Sequence, residues 1–201
     1  MKRLYMISKE ENMKKSLKPN NMLFPMPLVV LATYNEDRTV DCMTAAWITM
    51  EDEDVLFVEL TKDHKTSENI LRDKVFSVSV VSKDEVVNAD FVGMVSANHD
   101  RDKFRKTGWT ATRGTALDVP VIEELRLTYE CELLRVSEED GEFGIYARIR
   151  QIDVDNSILD EKGRLDIDKA EFVTFVSSEV SYRVLGEKVG KAFSDGKKKI
   201  I

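Results

Sequence analysis

The chain has 201 residues, of which 42% are apolar and 33% are charged, so it can bury a core and keep a solvated surface. Its net charge of -7 argues against a general affinity for nucleic acid, whose phosphates bind clustered cations. No apolar run approaches the roughly 20 residues of a membrane-spanning helix, and the first residues lack the apolar centre of a secretory signal. We therefore expect a cytoplasmic protein that binds neither nucleic acid nor a membrane.

The domain organisation follows from features that the sequence lacks. No Gly/Ser-rich or Pro-rich linker interrupts the chain, so we predict one domain over residues 1–201. It includes a polar N-terminal extension at about 1–20 and a basic tail at about 194–201. The two cysteines, Cys42 and Cys131, belong to no Cys-x-x-Cys pair, so we expect two reduced, partly buried thiols and no metal site.

Several segments have the apolar pattern of short β-strands. Residues 28–34 and 55–60 are continuous runs of β-formers, as in strands that are covered on both faces. In 75–81 apolar residues alternate with serines, which predicts one buried and one solvated face. Residues 126–154 alternate in the same way on both sides of a Glu-Glu-Asp-Gly turn at 138–141, and are predicted to form a hairpin.

The remaining predicted elements are short helices and one final strand. Helices fit residues 66–73, 84–97 and about 100–106, and the strand fits 171–183. Strands with scattered short helices predict a mainly β protein with short α-helices. A closed antiparallel barrel is the expected form, because closure leaves no exposed sheet edge.

A cluster of polar and cationic residues, 61–70, covers the start of the first predicted helix. Free N–H groups and the dipole at a helix N-terminus attract anions, and Lys62, Lys65 and Ser67 would add charge and hydrogen bonds. The stretch could therefore receive a phosphate. The alternative is that Thr66 is only an N-cap, whose hydroxyl satisfies a free backbone N–H.

Two further segments indicate a flat ligand. Residues 41–47, Asp-Cys-Met-Thr-Ala-Ala-Trp, place small residues where a strand could press its backbone against a ring, so a nucleotide cofactor is suggested. The run 100–109 holds four cations interleaved with Phe104 and Trp109, and one cation could lie beside an aromatic ligand. The alternative for these features is a scaffold in which Trp47 is core and the run 100–109 is a solvated surface.

The order of several short motifs resembles the flavin reductase-like family, and within it the flavoredoxin branch. These motifs are Pro-Met-Pro-Leu-Val-Val-Leu-Ala-Thr at 25–33, Met-Thr-Ala-Ala-Trp at 43–47, Lys-Thr-Ser-Glu-Asn-Ile at 65–70 and Asp-Lys-Phe at 102–104. The closing segments 182–187 and 190–193 are similar to the same branch. The resemblance extends from about Pro25 to the C-terminus.

The resemblance implies an FMN-binding split β-barrel of the Greek-key antiparallel type, a homodimer, and FMN near the dimer interface. By this analogy the backbone of 43–47 flanks the isoalloxazine ring, and Lys103 lies near the polar rim of the flavin, where a cation would stabilise the charge of the reduced ring. Thr61, Lys65 and Thr66, with Ser67, would hold the phosphate. The cofactor-binding residues predicted in this way are Asp41, Met43, Thr44, Ala45, Ala46, Trp47, Thr61, Lys65, Thr66, Ser67, Asn69 and Lys103.

Asp41 departs from the resemblance, because flavoredoxin-like members often carry Asn before the Met-Thr-Ala-Ala-Trp run. An ionised aspartate cannot donate a hydrogen bond, and its charge would oppose flavin reduction, so a lower reduction potential is expected.

The function implied is that of an FMN-binding redox protein, either an NAD(P)H:flavin oxidoreductase or a flavoredoxin-like carrier that accepts electrons from a protein partner. No side chain is assigned as catalytic, because the chemistry takes place on the flavin ring. The alternatives are a flavin-binding or storage protein without turnover, and an enzyme similar to the pyridoxamine-phosphate oxidases.

Overall fold

The computed structural model describes residues 14–20, 23–139 and 142–200. In chain order its strands are β1 (Met26–Pro27), β2 (Val29–Tyr34), β3 (Val40–Ala45), β4 (Ile48–Met50), β5 (Val55–Thr61), β6 (Val75–Val80), β7 (Ala111–Arg113), β8 (Pro120–Ile122), β9 (Leu127–Glu139), β10 (Glu142–Val154), β11 (Val173–Val176) and β12 (Ser181–Val184). The helices are α1 (Lys65–Asp73), α2 (Val86–Met94), α3 (Lys103–Thr107) and α4 (Ile167–Ala170), with 3-10 turns at Lys83–Glu85, Asn156–Ile158 and Asp195–Lys199.

Seven strands form one curled antiparallel sheet in the order β3-β2-β6-β9-β10-β5-β4. The split-barrel architecture and the mainly β class are thereby confirmed. The expected closure of the barrel is wrong, because in the described part of the chain β3 pairs only with β2 and β4 only with β5, at opposite edges of the sheet. The chain crosses this split through Ala46 and Trp47, the two residues that join β3 to β4.

The strand β2 lies at the centre of the packing. Val29 and Leu31 belong to a core cluster with Phe76 and Ile145, whereas the intervening Val30 packs in a second cluster on the other face. The prediction that this strand is covered on both faces is confirmed. The thiols of both cysteines are completely buried rather than partly buried.

The two tryptophans lie in different environments. Trp109 belongs to the second core cluster and is only 6% exposed, and its ring nitrogen donates a hydrogen bond to Glu85 at 2.7 Å. This ring is therefore part of the core and not of a ligand site. Trp47 is 47% exposed, so it is not a core residue as the alternative interpretation held.

The predicted hairpin over 126–154 is confirmed as β9 and β10, although residues 140 and 141 of its turn lie outside the described residues. The single strand predicted at 171–183 is wrong, because the chain reverses after Val176 and forms a hairpin of β11 and β12. This C-terminal hairpin joins β1 in a separate three-stranded sheet, and β7 and β8 form a third, two-stranded ribbon. A continuous run of β-forming residues does not reveal such a reversal, since both strands of the hairpin are rich in the same residue types.

The first predicted helix begins one residue early, at Lys65, and its N-cap is His64 rather than Thr66. The predicted helix over 84–97 is a 3-10 turn followed by α2, which ends at Met94. The third is the five-residue α3. None of the helices in the described part of the chain is long and apolar enough to cross a membrane.

The predicted extension at 1–20 lies outside the described residues except for 14–20, which are exposed and have no regular structure. In the basic tail, the 3-10 turn at Asp195–Lys199 is exposed. The single-domain organisation and the cytoplasmic location stay predictions.

Candidate functional site

A cavity of about 640 Å³ opens where the chain crosses the split between β3 and β4. This volume lies within the range of small-molecule sites, which is about 300–1,000 Å³. We call it the large cavity. Its floor is formed by 43–47, and its walls come from β5, from the loop before α1, from α2 and from the C-terminal hairpin. The lining residues are Leu28, Met43, Thr44, Ala45, Ala46, Trp47, Glu59, Leu60, Thr61, His64, Asp90, Gly93, Met94, Phe175 and Tyr182.

The wall made by α2 is fixed tightly against the floor. A Cβ added to Gly93 would lie 3.0 Å from the Cβ of Thr44, which is closer than side chains normally approach. The hydroxyl of Thr44 donates a hydrogen bond to the backbone oxygen of Ala89, one turn earlier on the same helix. Glycine at position 93 therefore allows the helix to approach the strand, and Thr44 serves as a packing contact as well as a lining residue.

A second, smaller cavity of about 140 Å³ adjoins the first, and we call it the small cavity. Four residues line both cavities, namely Met43, His64, Gly93 and Met94. The remaining lining comes from the first turn of α1, from α2, from the segment after α2 and from the start of α3, and it consists of Lys65, Thr66, Val92, Val95, Ser96, Ala97 and Lys103. The two segments that the sequence assigned to a ring and to a phosphate thus meet in space.

The N-terminus of α1 is open towards the small cavity. Its N-cap, His64, makes no side-chain hydrogen bond to the N–H groups of the first turn, which leaves them for another acceptor. The Nδ1 atom of His64 is itself buried and has no hydrogen-bond partner among the described residues. Lys65 adds a partly exposed ammonium group, which pairs with Glu68 at 3.0 Å. Such a group of unsatisfied donors beside a cation is suited to an anion.

Asp41, Thr66 and Lys103 form a buried network beneath this site, and each is at most 3% exposed. The hydroxyl of Thr66 donates to Oδ2 of Asp41 at 2.5 Å, and Nζ of Lys103 lies 3.5 Å from Oδ1 of the same carboxylate. The ammonium group also donates to the backbone oxygens of Val95 at 3.0 Å and Val92 at 3.5 Å. The carboxylate and the ammonium group therefore compensate each other within the protein.

This network changes two of the sequence-based expectations. The charge of Asp41 is expected from the sequence to oppose flavin reduction, but Lys103 offsets that charge at short range. Lys103 was expected near the rim of the ring, but it lines the small cavity and is absent from the lining of the large one. The only proton of the Thr66 hydroxyl is already given to Asp41, so a hydrogen bond from Thr66 to an anion would have to come from its backbone N–H.

Ser67 and Asn69 do not reach either cavity. The buried hydroxyl of Ser67 donates to the backbone oxygen of Thr61 at 2.8 Å. The side-chain amide of Asn69 donates to Thr33 at 3.0 Å and to Asn35 at 2.9 Å. Both side chains hold α1 against the sheet. The other predicted site residues, from Met43 to Trp47 and at Thr61, Lys65 and Thr66, line one or both cavities.

Sequence reasoning did not assign His64, Asp90, Phe175 or Tyr182 to a ligand site, although all four residues line the large cavity. His64 stood within the stretch 61–70 that was assigned to a phosphate, so its position was an available signal. Asp90 and Phe175 gave no such signal, and Tyr182 entered only as part of the segment 182–187 that resembles the family, because only tertiary packing brings α2 and the C-terminal hairpin to the cavity. The hydroxyl of Tyr182 donates to Oδ1 of Asp90 at 2.6 Å, and burial together with this carboxylate raises the pKa of Tyr182 to about 12.

The family of the chain follows from comparison with known proteins. Residues 22–169 match the model of the flavin reductase like domain. The chain belongs to this flavin reductase-like family. The resemblance inferred from the motifs is confirmed, and membership indicates a flavin-binding redox function.

Solved structures include two flavoredoxins that are similar over their whole length. The flavoredoxin of Desulfovibrio vulgaris (Miyazaki F) is 32% identical, with a TM-score of 0.86 over 92% of this chain and 100% of that chain. The flavoredoxin of Methanosarcina acetivorans is 25% identical, with a TM-score of 0.83 and the same coverage. An FMN-binding domain of a flavin reductases-like enzyme from Shewanella baltica OS155, 20% identical, shares the fold with a TM-score of 0.72 over 85% of this chain and 91% of that one. Comparison with curated proteins gave no match.

Proposed function

We propose that this flavin reductase-like protein binds FMN and passes electrons through it, either from NAD(P)H or between protein partners. The observation that carries the proposal is the junction of the two cavities at Met43, His64, Gly93 and Met94. A cavity large enough for a ring system opens there into a small one beside a helix N-terminus. A mononucleotide has the same two parts, a flat ring and a single phosphate.

The residues of the small cavity fit a phosphate. The N–H groups at the start of α1 and the ammonium group of Lys65 would hold it, and the orphaned Nδ1 of His64 provides a further polar atom at the junction. The floor formed by 43–47 would support the ring, and α2 with the C-terminal hairpin would shield it from water. A bound flavin would supply the redox chemistry itself.

The absorbance spectrum of the purified protein tests the proposal, followed by chromatography of the released chromophore and by titration of the apoprotein with FMN. A yellow protein that releases FMN, or an apoprotein that binds it, is the expected result. A colourless protein that fails to bind added FMN would refute the proposal.

Stopped-flow mixing of the FMN-loaded protein with NADH or NADPH then separates the two redox roles. Bleaching of the flavin on a catalytic timescale would identify a reductase. If neither nucleotide bleaches the flavin, the protein is instead expected to carry electrons between protein partners. Failure of the loaded protein to accept electrons from any donor would favour a storage protein, and turnover of pyridoxamine phosphate with oxygen would replace the proposed activity.

We also propose that the protein is a homodimer. A second, mainly apolar cavity of about 560 Å³ lies beside the split, and Trp47 and Met50 next to it are 47% and 52% exposed. Exposed apolar surface of this kind marks contact sites, and the family resemblance implies that a second copy covers it. Size-exclusion chromatography with light scattering is expected to give twice the mass of the 23.0 kDa chain. A monomer at micromolar concentration would contradict the proposal.

A further inference from the structure

The chain continues beyond the C-terminal hairpin as residues 185–200, which we call the C-terminal arm. Its apolar side chains Val189 and Phe193 are 93% and 98% exposed. Phe193 also has a φ of +56°, in the left-handed region that a bulky residue rarely adopts. A ring so fully exposed makes almost no contact in the single chain that could compensate for this backbone conformation. Apolar side chains presented in this way indicate a contact surface.

The end of the arm is a compact turn and not an extended strand. The N–H groups of Ser194 and Asp195 donate to the backbone oxygen of Lys191 at 3.3 and 3.1 Å, and Oδ2 of Asp195 accepts from the N–H of Lys191 at 2.8 Å. A Cβ added to Gly190 would lie 3.1 Å from the same carboxylate oxygen, so glycine leaves room for this contact. The turn therefore holds Phe193 in position before a partner binds, which lowers the entropic cost of binding.

The mainly apolar cavity of about 560 Å³ beside the split has chemistry that matches the arm, and we call it the apolar groove. Its lining includes the exposed Met50 and side chains of β1, β5, β6, β9 and β10. Ala46, Trp47 and Glu59 line both this groove and the large cavity. A group that fills the groove would therefore contact residues that also border the proposed flavin site.

The charges of the arm and of the rim of the groove are complementary. Residues 185–200 contain five lysines and two carboxylates, although the whole chain has a net charge of -7. The acidic loop 51–54, Glu-Asp-Glu-Asp, directly follows the groove residue Met50 at the end of β4. Glu51 and Asp54 pair with arginines at 3.7 and 3.5 Å, whereas Asp52 and Glu53 have no ion pair within the described part of the chain. These two carboxylates remain for the lysines of a partner.

We propose that the C-terminal arm of one subunit docks in the apolar groove of a second copy of the chain, with Phe193 as its apolar anchor and its lysines at the acidic loop 51–54. This rests on the proposed homodimer and specifies which segment covers the groove. The exchange is mutual, because a two-fold dimer brings each arm to the groove of the other subunit. The arm of the partner then covers the exposed part of Trp47, a residue of the proposed flavin site.

Thiol cross-linking tests the contact directly, because both native cysteines are completely buried and only introduced thiols would react. Ala192→Cys leaves the neighbouring Phe193 intact, and Thr49→Cys lies in the groove on β4. The chain that carries both substitutions is treated with a short bis-maleimide. We expect a product with the mass of two chains, in which mass spectrometry finds residue 192 joined to residue 49.

The matched control for the groove position is Val87→Cys in place of Thr49→Cys. Val87 is exposed on α2 and lies outside the described lining of the groove and of both cavities. No link between residues 192 and 87 is expected.

Substitutions in the arm measure its contribution to the affinity of the dimer. Phe193→Ser is expected to raise the dissociation constant of the dimer at least about tenfold, because a buried aromatic anchor carries much of the binding energy of an interface. Val189→Ser is expected to have a smaller effect, and Val87→Ser, the same change at an exposed valine of α2, is expected to have none. Light scattering over a dilution series gives the three constants.

The outcomes separate this inference from the proposed function. A dimer that forms no link between residues 192 and 49, or forms it only within one chain, would overturn the docking of the arm while the homodimer stands. An unchanged dissociation constant in Phe193→Ser would also overturn it. A monomeric wild-type protein would instead refute the homodimer and the exchange of arms together, and FMN binding, measured on the same samples, decides the proposed cofactor independently.

Discussion

Replacement of Lys103 by methionine is expected to destabilise the protein strongly, because it leaves the carboxylate of Asp41 buried without its cation. Asp41 is 1% exposed, and Oδ1, the oxygen facing Lys103, has no hydrogen-bond partner among the described residues. Removal of one member of a buried ion pair typically costs about 3–5 kcal/mol. For a chain of this size, each kcal/mol lowers the melting temperature by about 2–4 °C, so we expect a decrease of roughly 6–20 °C.

The double variant Asp41→Asn/Lys103→Met supplies the decisive comparison. It removes both charges, and the amide oxygen of the introduced asparagine can still accept the hydrogen bond from Thr66, so most of the stability is expected to return. Urea unfolding of the apoprotein measures both free energies without any contribution from bound flavin. A loss below about 1 kcal/mol in Lys103→Met, or a double variant no more stable than this single one, would refute the argument that the pair compensates itself.

Three further outcomes follow from single contacts. Lys65→Ala is expected to weaken FMN binding several-fold but not riboflavin binding, because the lost cation lies beside the proposed phosphate site. Lys62→Ala removes only a surface ion pair with a glutamate and serves as the control. Equal effects of the two variants on FMN affinity in fluorescence titrations would contradict the assignment. Thr66→Val is expected to cost about 1–3 kcal/mol by leaving Asp41 without its donor, while FMN affinity changes little; a large affinity loss with unchanged urea unfolding would show that the hydroxyl contacts the phosphate instead. Burial raises the pKa of Glu130, but hydrogen bonds from three consecutive backbone N–H groups outweigh burial, so the pKa is lowered in the folded protein. The stability that these bonds provide is therefore present above the unfolded pKa of about 4.3 and is lost as the pH falls through the lower folded pKa. Glu130→Gln should therefore be less stable near neutrality and show a weaker acid dependence in thermal melts, and an unchanged acid limb would exclude this carboxylate as its origin.

The sequence by itself determined the mainly β class, most strands of the seven-stranded sheet and two segments of the site, but not the reversal between β11 and β12. The alternation of apolar and polar residues is sufficient to identify a strand, because successive side chains point to opposite faces whichever strand it pairs with. The motifs at 43–47 and 65–70 also carried their chemistry locally. Small residues suit a floor beneath a ring, and the start of a helix suits an anion.

Only the tertiary structure decided which groups share the site and which are committed elsewhere. Asp41 and Lys103 are far apart in sequence, and nothing in either local pattern indicates that they form a buried pair. The same holds for Tyr182 and Asp90, which meet because the C-terminal chain reverses into a hairpin and packs across α2. Period and propensity report how a segment interacts with its neighbours in sequence, whereas the partner of a buried charge or an aromatic ring depends on how distant elements pack.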